Sequence, residues 1–327
     1  MLFIDQQIVA QSPVSDINTS ADIVKELFEK KKIQRAVAAQ EIPMYPNGLE
    51  GGGFYSLPAY IKDYGVAGIK WTTHVRNQSK PAADAAAASY TKPVILLNSL
   101  TDGSPLALID GHMISGLRTA SVSYLCLSKL SCFHPRKVLC CGSGHQARWQ
   151  AIAALNSLKS LEVLYIWSRN YEHAKACVSS LESYISKGVQ VKAIAGWEDC
   201  INNMDIVIGA TSAEQCYLTK EHLKNSAYIH IGLNDISEEA IYSYKEIICD
   251  DFTAGTHKSQ QSLFRLYRKN QEIENRVSLL ENNLAKPFTE KRVMFSSFGL
   301  SIFDIGLACH VYQYAQNQGL GEELDLY

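Results

Sequence analysis

Lys137-Val138-Leu139-Cys140-Cys141-Gly142-Ser143-Gly144-His145-Gln146-Ala147 decides the fold. An apolar run of strand length enters G-x-G-x-x-A, and Gln146–Asn156 then repeats apolar residues at helical spacing. Gly142 suits the tight turn, Gly144 lets backbone approach a pyrophosphate, and Ala147 lets the helix lie close to the strand. The helix N-terminus then offers free N–H groups and a positive pole to phosphates, with Ser143, His145 and Gln146 beside them. A glycine pattern alone is weak, and a phosphate-free structural turn is the plain alternative. Cys140 and Cys141 read as filler of the strand.

Working outward, strands and helices alternate. Glu162–Trp167, Val189–Ile194, Asp205–Ala210 and Ala227–Ile231 read as strands, and Tyr171–Ile185 as a helix. This pattern predicts βαβ units in an α/β fold, a Rossmann doubly wound parallel sheet. The second strand ends Trp167-Ser168-Arg169-Asn170, with no acidic residue to take ribose hydroxyls. Ser168 and Arg169 can donate to a 2′-phosphate, which favours NADP over NAD as cofactor; otherwise Arg169 stacks on adenine or is solvated.

Upstream, residues 1–115 mix helix (Asp22–Lys32) with strands (Val66–Trp71, Val94–Leu97), and Ala82–Ala88 reads as a helix or an ordered loop. Leu117–Leu130 is apolar at helical spacing. Downstream, Phe264–Leu284 reads as one or two polar amphipathic helices, and Leu300–Ala315 as a helix whose apolar stripe needs the first domain as partner. The expected division is an α+β substrate and dimerisation domain, 1–115 plus 305–327, and a nucleotide domain, 116–304. The length of 327 residues suits about two domains.

Composition narrows the classes. The formal charge is -2, which carries no basic footprint for nucleic acid. No apolar run approaches the ~18 residues of a membrane span, and the start, MLFIDQQIVAQS, lacks a secretory pattern. Nine cysteines without a C-x-x-C argue against a disulfide framework or zinc site and for a reducing, cytoplasmic setting. The histidines show no ligand spacing, so no metal is expected.

Several stretches resemble the ornithine cyclodeaminase/mu-crystallin family: Gly68-Ile69-Lys70-Trp71, Gly103-Ser104-Pro105-Leu106-Ala107-Leu108, Ser115-Gly116-Leu117-Arg118-Thr119-Ala120-Ser121, the glycine loop, Ala210-Thr211-Ser212 and Gly299-Leu300-Ser301-Ile302-Phe303-Asp304. Gly68–Trp71 through Ile95-Leu96-Leu97-Asn98, Asp250-Asp251-Phe252 and the ending Leu324-Asp325-Leu326-Tyr327 are similar to its diaminopropionate-forming branch. The resemblance implies a homodimer with a small amino-acid substrate lying between the domains, its Cα–H facing the nicotinamide. It also implies oxidation of a Cα–N bond to an imine that water splits. For that branch the substrate is N-(2-amino-2-carboxyethyl)-L-glutamate and the setting siderophore or secondary-metabolite synthesis. The alternatives are an NADPH-dependent cyclic-imine (ketimine) reductase or an ornithine cyclodeaminase, and, further off, a non-catalytic NADPH-binding protein.

The same resemblance implies residue roles. Lys70, at the end of a short strand, is expected to bind a carboxylate or polarise an imine. Arg118, on a helix among small and apolar residues, is costly unpaired and takes cofactor phosphate, substrate carboxylate, or a structural ion pair. Asp235 follows the turn Gly232-Leu233-Asn234 at the carboxyl edge of the sheet and matches the catalytic aspartate; the bland reading is a cap for the helix at Ser237–Tyr242. Thr211, Gly232 and Ser297 match cofactor contacts, and Asp304 reads as structural. Tyr55 stands where ornithine cyclodeaminase has a glutamate for the distal amine, and Ile236-Ser237-Glu238-Glu239 lacks the lysine that follows the aspartate. An arginine of the family falls at either Arg35 or Gln40. These departures count against cyclisation of ornithine to proline, which stays an alternative.

Overall fold

The computed structural model describes residues 1–46, 53–76, 89–286 and 288–326. Ala82–Ala88 lies outside the described residues. Contacts divide the chain into two units, Met1–Arg118 with Leu300–Tyr327, and Thr119–Gly299. Asp304, placed with the nucleotide domain on sequence grounds, belongs by contacts to the first unit.

The first unit contains β1 (Leu2–Ile4), α1 (Gln6–Gln11), α2 (Ile17–Lys32), β2 (Ala36–Ala38), β3 (Ile42–Met44), β4 (Gly53–Ile61), β5 (Val66–Arg76), β6 (Ser89–Thr91), β7 (Val94–Ser99) and β8 (Pro105–Asp110). The start of α3 (His112–Leu130), then α10 (Ser301–Gln318) and β17 (Glu322–Glu323), complete it. α2 begins before the expected Asp22 because the Asp16 side chain accepts the Thr19 N–H and caps it there, while Lys30, Lys31 and Lys32 fill the last turn.

Seven strands run in the order β17-β1-β8-β7-β5-β4-β2, with β3 pairing β4 and β6 pairing β5. Pairing is antiparallel except between β1 and β8. The period of two is clear. Leu57, Lys70, Ile95 and Ile109 share one row across β4, β5, β7 and β8 and are buried. α10 packs on β4, β5 and β7, which provides the partner its apolar stripe requires. The opposite face is apolar too: Phe3, Trp71 and Val94 are exposed, and Ile69, Leu96 and Leu108 half-buried.

The second unit contains the rest of α3, then β9 (Lys137–Cys141), α4 (His145–Ser157), β10 (Val163–Trp167), α5 (Tyr171–Ser179), β11 (Gln190–Ile194), β12 (Ile206–Gly209), β13 (Ala227–His230), α6 (Glu238–Tyr242), β14 (Ile247–Cys249), α7 (Phe252–Lys258), α8 (Ser262–Lys269), β15 (Val277–Leu279), α9 (Leu280–Asn283) and β16 (Met294–Ser296). Its eight strands are all parallel, in the order β11-β10-β9-β12-β13-β16-β14-β15. The order reverses between β9 and β12, the position at which open α/β sheets bind ligands. The fold class is the Rossmann doubly wound sheet with a second α+β unit.

Two elements differ from the sequence reading. Tyr171–Ile185 is α5 only to Ser179, then a 3₁₀ turn at Glu182–Tyr184. Phe264–Leu284 is not a helical pair: after α8 and a 3₁₀ turn, Val277–Leu279 pairs with β14 and adds an edge strand. The Asn270 side chain accepts the Glu272 N–H and starts that turn, and sheet pairing then overrides a helical period. Among the described residues no helix is long and apolar enough to cross a membrane.

Candidate active site

The glycine loop joins β9 to α4. Gly142 has φ 126°, and a Cβ there would lie 2.4 Å from the Ala210 carbonyl oxygen, so only glycine fits beside the loop after β12. The same Cβ would stand 3.2 Å from that of Ala147, which places α4 tightly on the strand end. Gly144 is the N-cap of α4 and offers no side chain to its first N–H groups. A Cβ at Gly144 would meet nothing within 4 Å. A thirteen-residue helix thus begins with no side-chain cap at its N-terminus, a start that fits a pyrophosphate. Ser143, His145 and Gln146 are half-buried around it. At the tip of β10, Ser168 is half-buried and Arg169 exposed, while Asn170 caps α5 by accepting the Glu172 N–H at 2.9 Å.

The loops after β12 and β13 meet at Asp235. Thr211 Oγ1 donates to Asp235 Oδ1 and accepts the Ala213 N–H at 3.2 Å. Asp235 is fully buried, and its Oδ2 has no hydrogen-bond partner. A Cβ at Gly232 would lie 1.8 Å from that oxygen, so the carboxyl occupies the space a side chain at 232 would need. Burial pushes the Asp235 carboxyl up to about 6, against the pull of Thr211 and the nearby Tyr217 hydroxyl, which itself makes no well-formed hydrogen bond. Capping of α6 falls to Ser237, whose hydroxyl accepts the Ala240 N–H at 3.2 Å, and not to Asp235.

Ser297 is held rather than free. Its hydroxyl donates to Asp250 Oδ2 at 3.1 Å, and the same carboxylate accepts N–H groups of Phe298, Gly299 and Asp251 at 2.7, 2.8 and 2.9 Å. The Gln261 amide donates to the Ser297 carbonyl at 3.0 Å. Asp250 and Gln261 therefore shape the loop after β16, a role that sequence reasoning missed. An acid closing the apolar run Ile247-Ile248-Cys249 was the available signal.

The first unit supplies the cations. Lys70 lies in the middle of β5, not at a strand end, on the face covered by α10. Its Nζ donates to Asp304 Oδ1 at 2.8 Å, and Arg118 Nε approaches the same oxygen at 3.4 Å. Asp304 is fully buried, with Oδ2 unpartnered. Burial and the neighbouring Arg118 push Lys70 down to about 8, against Asp304 and the more distant Glu41. One carboxylate thus faces two cations, leaving a buried surplus of positive charge. Tyr55 shares the Leu57 face of β4, where burial pushes its hydroxyl up to about 12. Asp304, read as structural from sequence, touches both candidate substrate-binding cations; its signal was an acid inside the apolar run Ile302–Ala308.

Lys70 and Arg118 thus come together in one unit, and the glycine loop, Thr211, Gly232 and Asp235 in the other. The class these features define is a Rossmann-type nucleotide-binding chain with a second, mostly antiparallel domain. The profile of the ornithine cyclodeaminase/mu-crystallin family matches residues 14–319, and the chain belongs to that family. It is 23% identical over 297 residues to an N-((2S)-2-amino-2-carboxyethyl)-L-glutamate dehydrogenase of Staphylococcus aureus, covering 86% of this chain and 84% of that one. It is 23% identical to a Delta(1)-pyrroline-2-carboxylate reductase of Bacillus cereus, covering 82% and 83%. The structure of the Thermococcus litoralis Delta(1)-pyrroline-2-carboxylate reductase in complex with NADH and L-proline superposes with a TM-score of 0.86 at 19% identity, covering 99% of this chain and 100% of that one.

Proposed function

We propose that this protein is an NAD(P)-dependent oxidoreductase acting on the CH–NH bond of a small amino acid. The Lys70–Asp304–Arg118 cluster carries the reading, since a buried and a half-buried cation around one carboxylate are suited to a substrate α-carboxylate. When bound, the nicotinamide ring supplies the hydride acceptor or donor at the substrate Cα. The uncapped start of α4 holds the pyrophosphate, and Ser168 and Arg169 take a 2′-phosphate, so NADP is favoured over NAD. Arg118 and Lys70 orient the carboxylate. The Lys70 ammonium, poised near neutrality, moves a proton at the substrate nitrogen or at the carbinolamine. Asp235, its carboxyl raised to about 6, offers its unpartnered Oδ2 to accept a proton beneath the loop after β13.

The named substrate is N-(2-amino-2-carboxyethyl)-L-glutamate, in agreement with the Staphylococcus aureus relative and with the absence of the ornithine-binding glutamate at Tyr55. Oxidation removes hydride from Cα and a proton from nitrogen; water then splits the imine into 2-oxoglutarate and L-2,3-diaminopropionate for siderophore or secondary-metabolite synthesis. A second reading, cyclic-imine reduction, is favoured by the NADPH-type tip of β10 and by the Bacillus cereus relative. The working form is a homodimer built on the apolar outer face of the first unit's sheet, and the nine free cysteines suit the cytoplasm.

The test follows nicotinamide absorbance with NAD and NADP offered separately. The glutamate adduct, ornithine and proline go with the oxidised cofactors, and cyclic imines with the reduced ones. Turnover of the adduct alone supports the named substrate; turnover of cyclic imines alone replaces it with the reductase; cofactor binding without turnover of any refutes catalysis. Asp235→Asn is expected to lower turnover at least tenfold with cofactor binding intact, and unchanged turnover removes Asp235 from the mechanism.

A further inference from the structure

Lys70 and Arg118 reach the same oxygen of one buried carboxylate from different elements, β5 and α3, while the carboxylate comes from the first turn of α10. Two cations at this spacing repel each other, and in a dry setting neither would hold its place unaided. A carboxylate between them cancels the repulsion and leaves one net positive charge. The position of the anion is itself supported: Asp304 lies in the first turn of α10, at the positive pole of the helix, and Leu300 gives the helix no side-chain cap. Its second oxygen is unpartnered, so both ion pairs converge on Oδ1 alone.

We propose that Asp304 is a positioning residue that holds Lys70 and Arg118 together as a two-cation clamp for the substrate α-carboxylate. The proposal rests on the reading that such a carboxylate binds these cations. It gives the acid in α10 a chemical task in place of a structural one: it keeps the Lys70 ammonium charged against burial and against Arg118, so the clamp retains both charges at neutral pH. Among the described residues the charged groups acting on Lys70 are Asp304 from α10, Arg118 from α3 and Glu41 beside β3; Asp304 and Glu41 raise its proton affinity, and Arg118 lowers it.

The test reads Lys70 directly. The protein is labelled with ¹⁵Nζ/¹³Cε-lysine and the Lys70 resonance, assigned by its loss in Lys70→Met, is followed against pH without ligand. In Asp304→Asn the titration midpoint falls by at least about one pH unit, a tenfold loss of proton affinity. Asp304→Glu keeps the wild-type midpoint, and Arg118→Gln raises it. Affinity for 2-oxoglutarate, measured calorimetrically with oxidised cofactor present, then falls about fivefold or more in Asp304→Asn at a pH near the wild-type midpoint. Two pH units lower it stays within about threefold of wild type, because both cations are charged there.

An unchanged midpoint in Asp304→Asn overturns the proposal, as does an equal loss of affinity at both pH values. Should Asp304→Asn not fold, Arg118→Gln decides on the midpoint alone: no upward shift overturns the coupling. Wild-type protein that binds no carboxylate at either pH refutes the functional reading and the clamp with it. The ligand-free titration then still shows whether Asp304 governs the ammonium, which separates the two failures.

Discussion

Replacing Asp235 by Asn should make the second unit progressively more stable, relative to wild type, as pH rises. The carboxyl is fully buried and one oxygen lacks a partner, so its charged form is disfavoured and its folded value rises from 3.8 to about 6. Its folded value lies above the unfolded one. Its contribution to stability is therefore complete below the unfolded value and is lost as pH climbs through the folded one. A shift of about 2 units at about 1.4 kcal/mol each amounts to about 3 kcal/mol at full ionisation.

Asn keeps an oxygen for the Thr211 hydroxyl and carries no charge at any pH. Any fixed cost of the amide beside Gly232 is the same at every pH and drops out of the comparison. Urea unfolding followed by circular dichroism should show the stability difference, Asn minus wild type, growing by about 2.5 kcal/mol between about pH 4 and about pH 8. More than half of that change falls above about pH 5. A flat difference would refute the reasoning, because the carboxyl would then titrate alike in the folded and unfolded chains. A difference growing in the opposite direction would mean that the charged form is the stabilised one.

Three further outcomes follow from the geometry. Gly232→Ala places a methyl 1.8 Å from Asp235 Oδ2 and 2.8 Å from the Thr211 carbonyl oxygen and should destabilise by roughly 2–3 kcal/mol; added to Asp235→Ala, which removes the closer contact and leaves the carbonyl one, it should cost less, and fully additive losses in thermal melts would refute the carboxyl contact. Arg169→Ala should weaken NADPH binding about tenfold while leaving NADH within about twofold, measured by cofactor fluorescence; equal effects would mean that Arg169 does not read the 2′-phosphate. Trp71→Glu puts a charge on the exposed apolar face of the first sheet and should convert the proposed dimer to a monomer in light scattering, and an unchanged mass would remove that face from the proposed interface.

The nucleotide fold was legible because its signals are local. β9 coincides with the expected strand, and the glycine turn and α4 follow it in the chain, so strand period, turn chemistry and helix start are all written within about twenty residues. The edge strand Val277–Leu279 was not legible. Its three residues lie within a stretch of helical period, and they are extended because they pair with β14. Lys70 was legible as a chemical candidate, but its burial was not: Trp71 beside it suggested a strand end, whereas β5 continues to Arg76 under the neighbouring strands.

Asp304 marks the limit most clearly. In sequence it stands 186 positions from Arg118 and 234 from Lys70, and no spacing rule links the three. By itself the sequence determined the Rossmann unit, the phosphate loop and the residue types able to bind a carboxylate, since these depend on turn geometry, periodicity and the chemistry of single side chains. Only the tertiary structure decided that two of those cations share one buried oxygen, that Gly232 makes room for Asp235, and that Ser297 is tied to Asp250. The physical reason is that charge pairing and burial depend on distance in space, and distance is set by how sheets and helices pack.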